Sequence, residues 1–369
     1  MRVFAKGYKR APKKEKGRIL SEVIKLTGYY KTYAVELLRG PVRPRQLQVI
    51  KRSRPSSYLP VFKELKKLWG ISNFACGKIL VSSMPGLLEQ LLKFRELKVS
   101  AKQKKLLLKI SPATCDRLLK AERKRLEIKG KSGTKPGSLL KHQIPVRIFT
   151  PWNEQTPGFV EIDYVAHCGE TLADTYINTL DATDIATCWT EKEACLGRSE
   201  KVTVEAFEKL EGKFPFPILG VDSDNDVLLI NWHFMRMCQR KQITFTRSRA
   251  YRKNDQAHIE QKNWSTVRKI VGYKRLETDN QLEILNQIYQ LLSDYLNFFI
   301  SNAKLVRKDH IGSRVKRIYT QPKTAYQRVL EHPGINMEVK KILQEKYQNL
   351  NPAQLIRQIN KLVSQLLKG

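Results

Sequence analysis

Apolar positions repeat with a helical period over the first 130 residues. Ile19, Leu20, Val23 and Ile24 form one stripe, Thr27-Gly28 interrupts it, and Tyr33, Ala34, Leu37 and Leu38 resume it before Gly40. Two helices around a Gly-containing turn predict a helix-turn-helix unit within residues 1–50. Pro41 to Pro60 is rich in Arg, Pro and Ser and reads as a basic linker. A second helical pair is expected beyond it. Val61, Leu65 and Leu68 form its first stripe, Trp69-Gly70 its turn, and Phe74, Ile79 and Leu80 the start of the next helix. A third unit over 87–126 contains Ser111-Pro112, an N-cap and first-turn pair, followed by Leu118 and Leu119. The Gly/Lys/Ser/Pro stretch Gly130–Gly137 marks a hinge; it lacks the G-K-[ST] ending of a phosphate-binding loop.

From residue 159 the period changes. Strand-like runs are expected at 159–166, 172–180 and 185–195, a helix at 202–211, and a strand ending at Asp224. A helix from Asn231 to Arg240, a strand over Ile243–Arg247 and a long helix over about 256–271 follow. Three consecutive strands and then alternating helices and strands predict a mixed sheet flanked by helices. Residues 281–299 read as an apolar helix, 301–328 as basic and irregular, and 336–367 as an amphipathic helix or helix pair whose leucines form a packing face. The expected fold class is multidomain. All-α units occupy 1–50 and 51–135, an α/β core with a mixed sheet 150–300, and a basic region ending in helix 301–369.

Charge sharpens this division. The 369 residues carry a formal net charge of +33 with 41% hydrophobic residues, enough for substantial cores. Residues 1–150 hold 37 Lys/Arg against 9 Asp/Glu, residues 151–300 hold 17 against 22, and residues 301–369 hold 14 against 4. An acidic middle between basic ends points to a polyanionic partner held around a carboxylate site. The candidate basic contacts in the helical region are Lys31, Arg39 and the cluster Arg123-Lys124-Arg125. The six cysteines include no C-x-x-C pair and residues 1–141 contain no histidine, so a zinc module is not expected there. The cysteine usage suits a reducing cytoplasm. The N-terminus lacks a signal-peptide apolar core, and no uninterrupted apolar run of about 18 residues predicts a membrane span.

Three carboxylates stand out by setting. Asp163 lies in the strand-like run Phe159–Val165, Asp224 ends the run Pro217–Asp224, and Glu260 lies early in a helix-like segment. Carboxylates alone can hold Mg²⁺ or Mn²⁺, and a pair of such ions serves phosphodiester chemistry. Asp222, Asp224 and Asp226 alternate, and alternation leaves all three open as ligands. A calcium loop is excluded by Val227 at its sixth position and His233 at its twelfth.

The stretches Gly158-Phe-Val-Glu-Ile-Asp163-Tyr-Val-Ala-His-Cys-Gly169, Asp222-Ser-Asp224-Asn225 and Phe245 through Ala257-His-Ile-Glu260-Gln-Lys-Asn-Trp264 resemble the D,D-35-E integrase/transposase family. The likeness is to bacterial insertion-sequence transposases with an RNase H-like core. It covers roughly 150–300 well, the helix-turn-helix region and the 297–330 tail more loosely; Asn297-Phe-Phe is part of it. The resemblance implies Asp163, Asp224 and Glu260 as catalytic, metal-binding residues for two Mg²⁺ or Mn²⁺ ions. Asp224 is chosen because it precedes Asn225, and because residues 225 through 259 give the 35-residue gap to Glu260. One departure is Asp226, where the family has Gly; a side chain there crowds the backbone beside the ions and adds a negative charge.

The function this implies is transposase or integrase chemistry: metal-dependent cleavage of DNA 3′ ends, then strand transfer by transesterification. Partners would be double-stranded DNA, both element ends and target, and further copies of the chain, in a bacterial cytoplasm at the nucleoid. Arg247, Arg249, Arg252 and Lys253, with Tyr251 among them, form a basic loop suited to phosphates. Lys262, Asn263, Arg268 and Lys269 flank the face shared by Glu260, Trp264 and Val267. The alternative reading is a catalytically impaired or domesticated DNA-binding protein derived from a transposase.

Overall fold

The computed structural model describes residues 2–40, 56–125, 155–223, 229, 231–247, 263–311 and 314–368. They form two compact units, Met1–Ser56 and Ser57–Gly369. Asp224, Asp226, Arg249, Arg252, Lys253, Glu260 and Lys262 lie outside the described residues, as do residues 41–55 of the basic linker read over Pro41–Pro60.

Among the described residues the first unit has three helices: α1 (Arg2–Arg10), α2 (Lys13–Thr27) and α3 (Lys31–Arg39). The turn between α2 and α3 falls where the sequence places it. Gly28 adopts φ 68°, and its N–H donates to the Ile24 carbonyl, closing α2 in the left-handed conformation that glycine adopts readily. Ala5, Tyr8, Leu20, Val23, Ala34 and Leu38 form the buried core. Helix α1 was not anticipated: its apolar residues are few among Lys and Arg, and they gain meaning only against α2 and α3.

The second unit begins with α4 (Phe62–Ile71), α5 (Gly77–Lys93), α6 (Ala101–Lys109) and α7 (Pro112–Arg125). The expected turn at Trp69-Gly70 is corrected: both residues are inside α4, and the reversal lies at Ser72–Cys76. Trp69 is buried, and Phe74 sets its ring edge-on against it at 5.0 Å from the turn. Asn73 and Phe74 hold positive φ (52° and 57°), a strain the aromatic packing offsets. Ser111 caps α7 as expected, its Oγ accepting from the Thr114 N–H at 3.2 Å.

The sheet contains β1 (Phe159–Ala166), β2 (Ile177–Asp184), β3 (Thr190–Leu196), β4 (Gly220–Ser223) and β5 (Thr244–Arg247), with α8 (Glu200–Glu211) before β4 and α9 (Trp232–Arg240) before β5. The strand order is β3-β2-β1-β4-β5. Strands β1 to β3 form an antiparallel meander, whereas β4 pairs parallel to β1 and β5 parallel to β4. This is the expected mixed sheet with flanking helices. Parallel strands require crossovers, and α9 supplies the one between β4 and β5. Phe207, Phe234 and Phe245 stack edge-to-face between α8, α9 and β5. The second and third strands begin five residues later than expected. Tyr176, Ile185, Cys188 and Trp189, buried in the connections, imitate strand positions.

Helix α10 (Asp279–Phe299) follows a short helical segment of π then α geometry, Asn263–Arg268 and Lys269–Val271. It lies along the free edge of β3 and seals it. Asn286 exchanges two hydrogen bonds with the Ala194 backbone (2.8 and 3.1 Å), and Asn297 does the same with Thr190 (2.9 and 3.0 Å). Two side-chain amides thus satisfy backbone groups that an edge strand would otherwise offer to another chain. Asn297 therefore holds the sheet edge.

The expectation of irregular structure over 301–328 is corrected. Strands β6 (Leu305–Ile311) and β7 (Arg314–Tyr319) make an antiparallel hairpin, and α11 (Ala325–Glu331) follows. Two helices end the chain, α12 (Met337–Asn349) and α13 (Pro352–Leu366), the second capped by Asn351. Their leucines face inward: Leu343, Leu355, Ile359 and Leu366 join one apolar cluster with α4, α5, α7, the sheet and α10.

Candidate functional site

Alternation along β1 puts Val160, Ile162 and Tyr164 on the face covered by α8, and Glu161 and Asp163 on the other. That second face carries an unusual concentration of buried polar groups. Across the ladder, Asp163 stands opposite Asp181, and Asp181 opposite Lys192. One row back, Glu161 pairs with Thr183 on one side and Asp222 on the other, and Asp222 with Thr246.

Each carboxylate has fixed company. Asp163 is half-buried; its Oδ1 accepts from the Tyr164 N–H at 2.7 Å and its Oδ2 from the Asn263 amide at 2.5 Å. Asp222 is fully buried and accepts from the Thr246 hydroxyl at 2.7 Å. Asp181 accepts from Lys192 Nζ at 3.1 Å and from the Thr190 hydroxyl at 3.2 Å, with Asp181 at 0% and Lys192 at 3% exposure. A buried ion pair survives only when both charges are hydrogen-bonded, as here.

Gly158 sets the entry to β1. At φ 109° its N–H donates to Asp184 and its carbonyl accepts from Leu219 and Gly220, tying β1 to β4. A Cβ there would collide with the Pro217 carbonyl. The last β1–β4 pair is Ile162 with Ser223, so Asp163 and Asp224 each follow directly on the two members of that pair.

Beyond Asp163, β1 ends on a buried polar chain. His167 is fully buried; its Nε2 meets the Thr179 hydroxyl at 2.8 Å, which meets the Tyr289 hydroxyl at 2.6 Å. Burial, with the nearby Arg268 guanidinium, pushes the imidazole down to about 3, so it is neutral. Arg268 donates to the Ala166 carbonyl at 2.8 Å and lies over the Tyr273 ring. The segment holding Asn263 and Arg268 is thereby fastened to β1 at two points.

The structure redistributes the residues expected around this centre. Asn263, Arg268 and Lys269, read as flanking positions that could touch DNA, each bond within the protein; Asn263 and Arg268 are half-buried, and Lys269, itself exposed, donates to the Asn73 carbonyl. A helical wheel identifies a face but not what packs on it. Arg123 is held by Asp116 at 2.9 Å and lies over the Trp69 ring. Arg125 pairs with Glu122 at 3.6 Å, and Lys124, Lys31 and Arg39 are exposed. Arg247 ends β5, its side chain outside the described ones, as is that of Trp264. Among the described residues no three His, Cys, Asp or Glu side chains group as a metal site; two of the three expected ligands lie outside them. Asp181 and Lys192 were not singled out, and Asn263 was read as a flanking residue rather than as a partner of Asp163. Their pairing runs across ladders and between distant segments, which no spacing motif records.

No protein-family model matches the chain. Among solved structures, the catalytic core domain of BIV integrase is similar at 14% identity over 52% of this chain and 99% of that one, with a TM-score of 0.31. Among the described residues, no helix is long and apolar enough to cross a membrane. At 37% identity over 322 residues, spanning 85% of this chain and 89% of its relative, the chain belongs to the family of the uncharacterized protein y4rM of Sinorhizobium fredii.

Proposed function

We propose that the chain is a transposase or integrase: a polynucleotidyl transferase with an RNase H-like core that cleaves DNA 3′ ends and joins them to target DNA. One observation carries this reading. Three distant segments meet around Asp163. They are β1 itself, the end of β4 one residue before Asp224, and Asn263, three residues after Glu260, whose amide touches the Asp163 carboxylate. Asp224 and Glu260 lie outside the described residues; their nearness in sequence to these segments, one and three residues away, supports the reading.

The donors suit a hard divalent cation. Asp163, Asp224 and Glu260 are all carboxylates, hard oxygen donors that favour Mg²⁺ or Mn²⁺ over zinc. Asp163, Asp224 and Glu260 would hold two such ions, which supply charge neutralisation at the phosphodiester when bound. The protein's own contribution is orientation. Asn263 and the Tyr164 N–H fix both Asp163 oxygens, and Thr246 fixes Asp222 behind them. The positive charge of the two ends, +28 over 1–150 and +10 over 301–369, supports double-stranded DNA as the partner. Joining two ends calls for more than one copy of the chain.

The test uses purified protein, Mg²⁺ or Mn²⁺, and plasmid DNA carrying the coding region with its flanks. Strand transfer is expected from the wild type, and a loss of at least about a thousand-fold from Asp163→Ala and Glu260→Ala, equivalent to several kcal/mol of transition-state stabilisation. Undiminished activity in either variant would overturn the assignment. Asp226 favours a second reading, a DNA-binding protein with an impaired core. Under it, the wild type binds DNA without strand transfer, and Asp226→Gly leaves that unchanged; recovery of activity in Asp226→Gly would exclude a dead core.

A further inference from the structure

The β6–β7 hairpin is strongly basic and only partly packed. Residues 304–319 carry six basic residues (Lys304, Arg307, Lys308, Arg314, Lys316 and Arg317) and one acidic residue, Asp309. In the ladder, Lys308 stands directly opposite Arg317 and Asp309 opposite Lys316. Like charges directly across a two-stranded ladder oppose its formation. Among its described apolar side chains, Val306 is 60% exposed and Tyr319 44%, while Leu305 and Ile318 are half-buried. A lone two-stranded hairpin is only marginally stable in water.

The root of the hairpin, by contrast, is firmly held. Lys304 and Thr320 exchange hydrogen bonds of 2.8 and 3.0 Å. Asn302 and Lys323 bridge the strands below them, and the Arg328 guanidinium donates to the Asn302 carbonyl at 2.7 Å and the Lys323 carbonyl at 3.0 Å. Lys304 also reaches the Ala186 carbonyl at 3.2 Å. From α5, Lys78 brings a further cation over the Tyr319 ring, 5.5 Å from its centroid. An orderly base thus supports a strongly basic ribbon in which one like-charge pair and one opposite-charge pair offset each other.

Register also distributes the charge. Lys316 and Arg317, neighbours on β7, lie on opposite faces of the ladder by register, and both are exposed. A ribbon basic on one face would lie on a flat polyanion. Basic residues on both faces suit insertion between two walls of phosphates, and the major groove of duplex DNA, about 12 Å wide, admits a two-stranded ribbon. We propose that the β6–β7 ribbon is a duplex-DNA contact that enters a groove and is anchored by phosphates on both sides. The choice of DNA over another polyanion rests on the transposase or integrase reading.

The experiment measures equilibrium binding of the full chain to a short duplex of arbitrary sequence, without divalent ions, between about 50 and 200 mM salt. It compares the wild type with a triple variant, Lys308→Ala, Lys316→Ala and Arg317→Ala. Lys316 and Arg317 are exposed, so the variant should melt with the wild type. Each lost phosphate contact lowers the slope of log affinity against log salt by about 0.9. The expected result is a slope smaller by about 2–3 and at least about ten-fold weaker binding at the middle of that salt range. Wild-type binding with an unchanged slope and affinity in the triple variant would overturn the ribbon's role and leave the catalytic reading intact. Failure of the wild type to bind duplex DNA would overturn both. Tighter wild-type binding to an RNA hairpin, lost in the variant, would overturn the choice of DNA.

Discussion

Replacing Lys192 by Met should destabilise the protein by about 3–5 kcal/mol, because it leaves the Asp181 carboxylate charged and enclosed without its cation. The pair joins β2 to the edge strand β3, Asp181 at 0% and Lys192 at 3% exposure, with Nζ 3.1 Å from the carboxylate. Met keeps the length of the stem, so lost packing contributes little. The double variant Lys192→Met, Asp181→Leu removes both charges and should regain most of the loss. Denaturant unfolding of the wild type, single and double variants closes the cycle. A single variant as stable as the wild type would mean that the pair is not enclosed as described. Asp181 also stands directly opposite Asp163, so this pair sets the charge beside the proposed metal site.

The second large effect is a pH dependence made of two opposed parts. His167 has its pKa depressed to about 3 by burial and the Arg268 charge, against an ordinary value of 6.5. Between those values the unfolded chain takes a proton that the folded one refuses, so this group costs stability as pH falls from 6.5. Glu191 is fully buried, with hydrogen bonds from Trp189 and Ser293, and burial raises it to about 7 from 4.5, against the lowering effects of those bonds, Lys213 and Lys192. Here the folded chain holds the proton, so stability rises as pH falls from 7 toward 4.5. Over pH 5 to 6.5 each group changes stability by about 2 kcal/mol, with opposite signs. The wild type should be nearly flat there. His167→Asn should become more stable toward pH 5, and Glu191→Gln less stable. Denaturant unfolding at several pH values measures all three, and slopes of the same sign in both variants would contradict these environments.

Much of the core could be read from the chain because its elements are locally patterned. Strand β1 runs over the residues the alternation marks, Asn231 caps α9, and Asp163 falls on the sheet beside β4. What stayed hidden depends on partners far away in sequence. The helices of 57–125 and the terminal helices look like separate modules by composition, yet Leu65, Leu87, Leu119, Leu292 and Leu355 share one apolar cluster. An apolar stripe specifies that a face is covered, not by what. The β6–β7 hairpin escaped because alternation is a signal of one-sided burial, and this ribbon has charge on both faces. At the site, the carboxylates were visible as residue types, but Lys192 beside Asp181 and Asn263 against Asp163 are contacts made only by folding.

Asp163 is proposed to belong to a site for divalent cations. Calorimetric titration of Mn²⁺ into the wild type and into Asp163→Asn tests it without knowledge of the DNA ends. Loss of even an outer-shell partner typically weakens a metal site by about 10–100-fold, and loss of a direct ligand should do at least as much. The predicted result is Mn²⁺ binding by the wild type and at least about ten-fold weaker binding by Asp163→Asn, with both proteins unfolding at the same denaturant concentration. Equal Mn²⁺ affinity in the two proteins would contradict it.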